Sequence, residues 1–286
     1  MSPALRLPFR KVHGIGNDFV FADLRGDPGR MTPALARELC HRTLGVGADG
    51  VLILTGTVAE PEMTVWNADG SRAEMCGNGI RCVVMELVRG LGATANPVVV
   101  GTGAGPRECR WEDRGGEGFH VEVDMGPGHP DGDDVELQAL AGIEGDGLPV
   151  RPLRGVRVSM GNPHVVFFDR FDPREIRAWG PRVTASPAFP GGVNAEFATL
   201  QGPRRVDLVV HERGAGFTQG CGTGACAVVA AGVRTGLLPP DETVAVALPG
   251  GRLEIRVRSS DGHLLMTGPA VEVFEGCVLS GAVPFR

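Results

Sequence analysis

The stretches "AEMCGNGIRC", residues 73–82, and "TQGCGTGACA", residues 218–227, each set a cysteine before a Gly-x-Gly triplet and an apolar run, 221 − 76 = 145 residues apart. The same offset carries Gly16-Asn17 onto Gly161-Asn162, Asp49 onto Asn194, and Asn67 onto Glu212, without a gap. Single matches of this kind are common by chance. A constant offset across all of them indicates two related halves, so the chain has to build one small architecture twice. Its 286 residues suffice for two domains of about 140 residues each. The expected division is 1–127 and 128–274, with 275–286 returning to the first half.

Both halves read alike. Short β-branched runs alternate with Gly/Pro turns: Val51 to Leu54, Val98 to Val100 and Val121 to Val123, then Val165 to Phe168, Val206 to Val210, Val244 to Leu248 and Leu253 to Val257. Each half has one strongly apolar helical pattern, from Gly79 in "GIRCVVMELVRGLG" and from Gly224 in "GACAVVAAGVRTG". A helix apolar on most sides is expected to be buried, with strands wrapped around it. The stretch 126–147, rich in Gly, Asp and Pro, reads as the connection between halves.

Composition removes several functions. A net charge of −6 leaves no basic stripe to replace phosphate counterions, which argues against nucleic acid. No apolar run approaches the roughly 20 residues of a membrane span and the N-terminus has no apolar core of a signal peptide, so a cytoplasmic location is expected. The seven cysteines lack CxxC spacing and form an odd set, which points to thiols rather than to disulfides or a zinc site. The only lysine is Lys11, which leaves no P-loop triplet and no candidate for a pyridoxal phosphate Schiff base. Neither a cofactor nor a metal is expected.

A cysteine at the start of a helix meets unpaired backbone N–H groups and the positive end of the helix dipole. Both favour a thiolate, and the adjacent glycines let a substrate carboxylate approach the same N–H groups. If two such thiols serve one carbon from opposite faces, one takes a proton and the other returns one, which inverts a stereocentre. The carbanion that develops would be stabilised by the held carboxylate. A zwitterion-binding module without turnover and a one-thiol Cys-His hydrolase are the readings from other classes; the second leaves one of the two motifs unexplained. Taken alone, Cys40, Cys82, Cys109, Cys226 and Cys277 read as small buried hydrophobes, the asparagines before strands as turn residues, and Arg213 as a solvated charge.

The ordered set "GIGNDFV", "GVGADGV", "NADGSRAEMCGNGIRC", "GNPH", "GVNAEF", "ERGAG", "CGTGACA" and "MTGPAVEVFEG" runs from residue 14 to 276 and resembles the diaminopimelate epimerase family. The resemblance implies an α/β fold of two pseudo-symmetric domains, each a curved, mostly antiparallel sheet around a central helix, with the active site in the cleft between them. It implies cofactor-independent interconversion of LL- and meso-diaminopimelate, for lysine and peptidoglycan precursors, by a homodimer. Carried over by residue, it makes Cys76 and Cys221 the acid/base pair, with His164 and Glu212 as their respective polar partners. Asn17, Asn67, Asn162, Asn194 and Arg213 would hold the distal amino acid end. Gly77-Asn78 and Gly222-Thr223 would bind the reacting carboxylate through backbone N–H groups. A related racemase of proline or hydroxyproline is the nearest alternative; it needs a smaller pocket and no arginine for a distal carboxylate.

Three positions depart from the family pattern. Phe217 stands where a Glu is usual, adding apolar bulk and removing a carboxylate near Cys221. Gly220 replaces a small Ala or Ser, and Gly50 stands where some members place a substrate-contacting Gln. Because either enantiomer needs a base on one face and an acid on the other, Cys76→Ala and Cys221→Ala should each lower inversion by about 10²-fold or more. Near-normal turnover in either variant, measured by separating the stereoisomers, would sink the two-thiol scheme.

Overall fold

The computed structural model describes residues 6–137 and 152–279. The described residues up to Val123 and from Gly268 onward form one compact unit; Asp124–Thr267 form a second. The chain changes unit inside two strands. The stretch 126–137 is not idle connection, because two short strands within it pair into the second unit. The rest of the expected connection, 138–147, and the expected return segment beyond residue 279 lie outside the described residues.

In the first unit, β1 (Arg6–Gly14) turns through Ile15 and Gly16, both with positive φ, into antiparallel β2 (Asn17–Asp23). A 3-10 turn (Pro28–Arg30) and α1 (Pro33–Cys40) lead to β3 (Gly50–Gly56), which runs parallel to β2. Then follow antiparallel β4 (Pro61–Asn67), the short β5 (Arg72–Ala73), and α2 (Gly77–Met85), which ends in a π-type turn over Glu86–Gly90. Strands β6 (Val98–Val100), β7 (Arg107–Asp113) and β8 (Phe119–Pro127) complete the forward run.

In the second unit, β9 (His129–Pro130) and β10 (Val135–Leu137) both pair with β11 (Leu153–Ser159). Next come β12 (Pro163–Phe168), α3 (Pro173–Thr184) and β13 (Asn194–Gly202), with β12 and β13 parallel. Antiparallel β14 (Arg205–Glu212), short β15 (Gly216–Phe217), α4 (Gly222–Arg234), β16 (Val244–Leu248) and β17 (Gly251–Val257) follow. Strand β18 (His263–Leu279) pairs first with β17 and then, in the first unit, with β1.

From β11 onward the second unit repeats the order of the first, two strands, helix, three strands, helix, three strands, with the short β9 and β10 added before it. The offset of 145 carries the pair Trp66–Arg72 onto His211–Phe217, and both pairs are formed. All the expected strands are strands. Helix α2 is buried along all nine residues and touches β1, β2, β3, β4, β6 and β7; α4 packs on β11, β12, β13 and β17. Its lack of a polar face is therefore a property of position.

Both central helices begin two residues earlier than their apolar pattern, at Gly77 and Gly222. Gly-Asn and Gly-Thr are poor helix formers, so periodicity becomes visible only after them. The shift makes the cysteines themselves the N-caps. Helices α1 and α3 stand outside the expected set. They are announced by caps rather than by apolar pattern: Thr32 Oγ1 accepts from Leu35 N at 3.2 Å, Asp172 and Glu175 form a capping box, and each helix has proline at its start. No helix among the described residues is long and apolar enough to cross a membrane.

One cluster of the first unit packs α1 under β2 and β3, through Ala36, Leu39, Val20, Val51 and Ile53. In the second unit α3 does the same with Ile176, Trp179 and Val183 against Phe167, Ala195 and Phe197. Trp179 is fully buried, and Phe171 meets its ring edge-on at 6.3 Å. Trp179→Ala should cost about 3–5 kcal/mol in urea denaturation, the range for emptying an aromatic site in a packed core. A loss below about 1 kcal/mol would mean that α3 is not held by this contact.

Candidate active site

The tight β1–β2 turn presents Asn17 beside the N-terminus of α2, where Cys76 has extended backbone angles (φ −140°, ψ 114°). Gly79 N–H donates to Cys76 Sγ at 3.4 Å, so the sulfur takes one of the N–H groups that a helix cannot satisfy internally. The thiol is half-buried and lies 3.9 Å from Asn17 Oδ1, which also accepts from Asn78 Nδ2 at 3.2 Å. Asn78 is fixed in turn by Arg81, a fully buried guanidinium that donates to Asn78 Oδ1 (2.9 Å), to Gly77 O (3.1 Å) and to Pro269 O (3.1 Å).

Asn17 is held from its other end. Its Nδ2 donates to Asp49 Oδ2 at 2.9 Å, and Arg42 bridges Asp49 (2.6 Å) and Asp18 (2.7 and 3.1 Å). The ammonium of Lys11 pairs with Asp18 and with the carbonyl of Gly47. Partial burial pushes the Asp18 carboxyl up, but hydrogen bonds and charge from Arg42 and Lys11 outweigh it and hold the group at about 2. The one lysine of the chain is thus a member of an ion-pair cluster behind Asn17. Asn67 closes β4 at an exposed position, donating to Ser71 Oγ at 2.9 Å. Opposite it stands Gly50, where a Cβ would come within 2.7 Å of Trp66 O; a side chain there would clash with backbone.

Cys221 is the N-cap residue of α4 with similar backbone angles (φ −116°, ψ 106°), but its side chain makes no cap hydrogen bond and it is only 5% exposed. Four contacts form a chain from it: Sγ to Thr223 Oγ1 at 3.6 Å, Thr223 Oγ1 to Asn162 Nδ2 at 3.5 Å, Asn162 Oδ1 to His164 Nε2 at 2.9 Å, and His164 Nδ1 to Glu196 Oε1 at 2.7 Å. Burial raises the Cys221 thiol well above its ordinary range, the charges of Glu212 and Glu196 add to this, and polar contacts with Thr223 and the backbone of Gly224 oppose it. Two carboxylates therefore act on this thiol even with Phe217 in place of a Glu. The Phe217 ring sits edge-on at 4.7 Å to His211 and against Gly180 of α3.

Glu212 Oε1 accepts from Thr218 Oγ1 at 2.5 Å. Asn194 Oδ1 accepts from the backbone N–H of Arg213 at 2.9 Å, and the Arg213 guanidinium donates to Gly191 O at 2.7 Å. The structure thus brings Asn17, Asn78 and Cys76 together in one unit, and Asn162, His164, Thr223 and Cys221 in the other; Asn194 and Arg213 form a pair of their own. Glu196 was outside the residues singled out by sequence. Its signal was a carboxylate within an otherwise apolar strand, "NAEFATL", which burial turns into a requirement for a partner. Among the described residues no group of three or more His, Cys, Asp and Glu side chains is arranged to hold a metal ion.

The family model described as diaminopimelate epimerase matches residues 9–129 and 156–273. A protein of Desulfitobacterium hafniense named diaminopimelate epimerase is 40% identical, covering 96% of this chain and 98% of its own. One of that name from Desulforudis audaxviator is 43% identical over 94% and 98%. A solved hydroxyproline epimerase from Agrobacterium vitis superposes with a TM-score of 0.72 at 16% identity, covering 96% of this chain and 93% of that one.

The two thiols differ in access and in surroundings. At neutral pH without substrate, iodoacetamide should modify Cys76 about tenfold faster than Cys221, because a buried thiol with a raised pKa forms thiolate only as pH rises. Rates would be read peptide by peptide in a mass spectrometer. Equal rates at pH 7 would contradict the difference in environment.

Proposed function

The chain belongs to the diaminopimelate epimerase family, and on that premise we propose that it interconverts LL- and meso-2,6-diaminopimelate without a cofactor, with Cys76 and Cys221 as base and acid. The observation that carries this reading is the recurrence of a thiol as N-cap of a central helix, once in each unit. In one direction a thiolate takes the α-proton and the other group, as thiol, gives its proton to the opposite face. Each turnover leaves the roles exchanged, and the opposite isomer restores them. One proton is lost and one gained, so no redox partner is required.

The substrate carboxylate would sit on the first-turn N–H groups of Gly77-Asn78 and Gly222-Thr223, where helix dipoles favour the charge that develops on it. Burial and two carboxylates favour the protonated form of Cys221, which makes it the acid of the resting enzyme; Cys76, with an N–H on its sulfur, is the base. His164 and Glu212 tune the thiols. Asn17, Asn67, Asn162, Asn194 and Arg213 hold the distal amino acid end; the Arg213 fork suits a carboxylate. A role in lysine and peptidoglycan precursor synthesis, a cytoplasmic location and a homodimer complete the reading.

The proline-type alternative is supported by likeness of fold alone. The test is incubation with LL-diaminopimelate in deuterium oxide without added cofactor, with L-proline and hydroxyproline in parallel. Formation of the meso isomer with deuterium at the inverted carbon is expected. Binding without α-hydrogen exchange would leave a binding module, and exchange only with proline or hydroxyproline would move the chain to the other activity.

A further inference from the structure

Glu196 has no part in the scheme above, yet its placement asks for one. The side chain is fully buried on β13, Oε1 meets His164 Nδ1 at 2.7 Å, and Oε2 has no hydrogen-bond partner among the described residues. Parallel pairing of β12 and β13 sets His164 opposite Asn194, two residues from Glu196, on the strands under the start of α4. A Cβ at Gly224 would lie 3.0 Å from Glu196 Oε1 and 3.3 Å from Cys221 Sγ. Glycine at that position keeps the carboxyl and the thiol within one small space. Burial raises the Glu196 carboxyl and His164 opposes the rise.

The chain from Glu196 to Cys221 has two consistent polarities. In the arrangement observed, His164 Nε2 faces an oxygen, Asn162 Oδ1, and Nδ1 faces Glu196 Oε1. The His164–Glu196 pair must then hold protons at both contacts. Asn162 Nδ2 donates to Thr223 Oγ1, which frees the hydroxyl hydrogen to point at Cys221 Sγ as an acceptor, the thiolate. With the Asn162 amide turned over, every donor reverses. Cys221 S–H donates to Thr223, Thr223 to Asn162 Oδ1, Asn162 Nδ2 to His164 Nε2, and His164 Nδ1–H to an ionised Glu196. Both arrangements hold the same number of protons; one has left the pair and is on sulfur.

We infer that Glu196 is a positioning residue which, with His164, carries the proton or the charge complementary to Cys221, so that this buried group holds one negative charge, on the carboxylate or on the sulfur. The inference rests on the reading of Cys221 as an acid/base group. It supplies what that role needs, a thiol that can ionise in a buried place without adding a second charge there. The titratable groups facing Cys221 within its unit are His164 on β12, Glu196 on β13 and Glu212 on β14. Glu212 is unchanged in the variant below, so a shift belongs to Glu196.

The test follows alkylation of Cys221 by iodoacetamide against pH, by peptide mass spectrometry, in the parent and in Glu196→Gln. Gln keeps a hydrogen bond to His164 but cannot carry the charge. The pH at which Cys221 becomes reactive should fall by about one unit, while Cys76 keeps its profile. An unchanged Cys221 profile in the folded variant would overturn the inference, as a mere hydrogen-bond brace would predict. Should Glu196→Gln not fold, the parent answers through the ring ¹⁵N signals of His164. A ring that exchanges a proton with Cys221 must give different signals in the parent and in Cys221→Ser at one pH, because the hydroxyl cannot take the thiolate form. Identical signals would overturn the coupling. Neither measurement uses diaminopimelate, so failure of the substrate assignment leaves this test standing.

Discussion

An α-helix begins with N–H groups that nothing inside it can bind, and in this protein both central helices turn that end toward a cysteine. A thiol there is a functional group only if the helix end stays out of water, because solvent screens the partial charge at its N-terminus. Burial of α2 on every side, and of α4 along most of its length, meets that condition. The strands packed around each helix are what make such burial possible in units of this size. Gly-Asn-Gly and Gly-Thr-Gly suit the start of a helix in a crowded place, and in the proposed mechanism they leave its N–H groups open to a carboxylate.

The same scaffold has been given two electrostatic settings. The offset of 145 carries Arg81, a buried cation one turn beyond Cys76, onto Cys226, a buried cysteine. It carries Asp49, which anchors Asn17 within an ion cluster, onto Asn194, which binds a backbone N–H. Around Cys221 charge is instead concentrated in Glu196 and Glu212, and burial is nearly complete. For the acid/base pair proposed above, which needs one protonated and one ionised member at a time, such unequal surroundings would set which member is which.

Much of the site's order comes from groups that never need to touch a substrate. Arg81 fixes Asn78, Arg42 and Lys11 fix Asp18 and Asp49, and these hold Asn17. Arg81, Asn78 and Lys11 are buried and would be costly without their partners, whereas Arg42 and Asp49 are exposed and complete the cluster at the surface. Arg213 is arranged differently, with its backbone fixed by Asn194 and its guanidinium near the surface.

Local properties of the chain were enough to establish the duplication, the strand runs, the two apolar helices and the cysteines at their heads, because periodicity and motif are carried by neighbouring residues. They also singled out Asn17, Asn162 and His164, which the structure sets in contacts at the heads of the two central helices. Helices α1 and α3 escaped because their marks are caps and prolines, not apolar pattern. The earlier helix starts escaped because Gly-Asn and Gly-Thr hide them. Only the tertiary structure decided that Glu196 meets His164, since parallel pairing of β12 with β13 joins residues 32 apart, and that the chain changes unit within β8 and β18. It alone decided the charge each thiol feels, because the energy of a carboxylate depends on what surrounds it in space, and sequence order does not contain that distance.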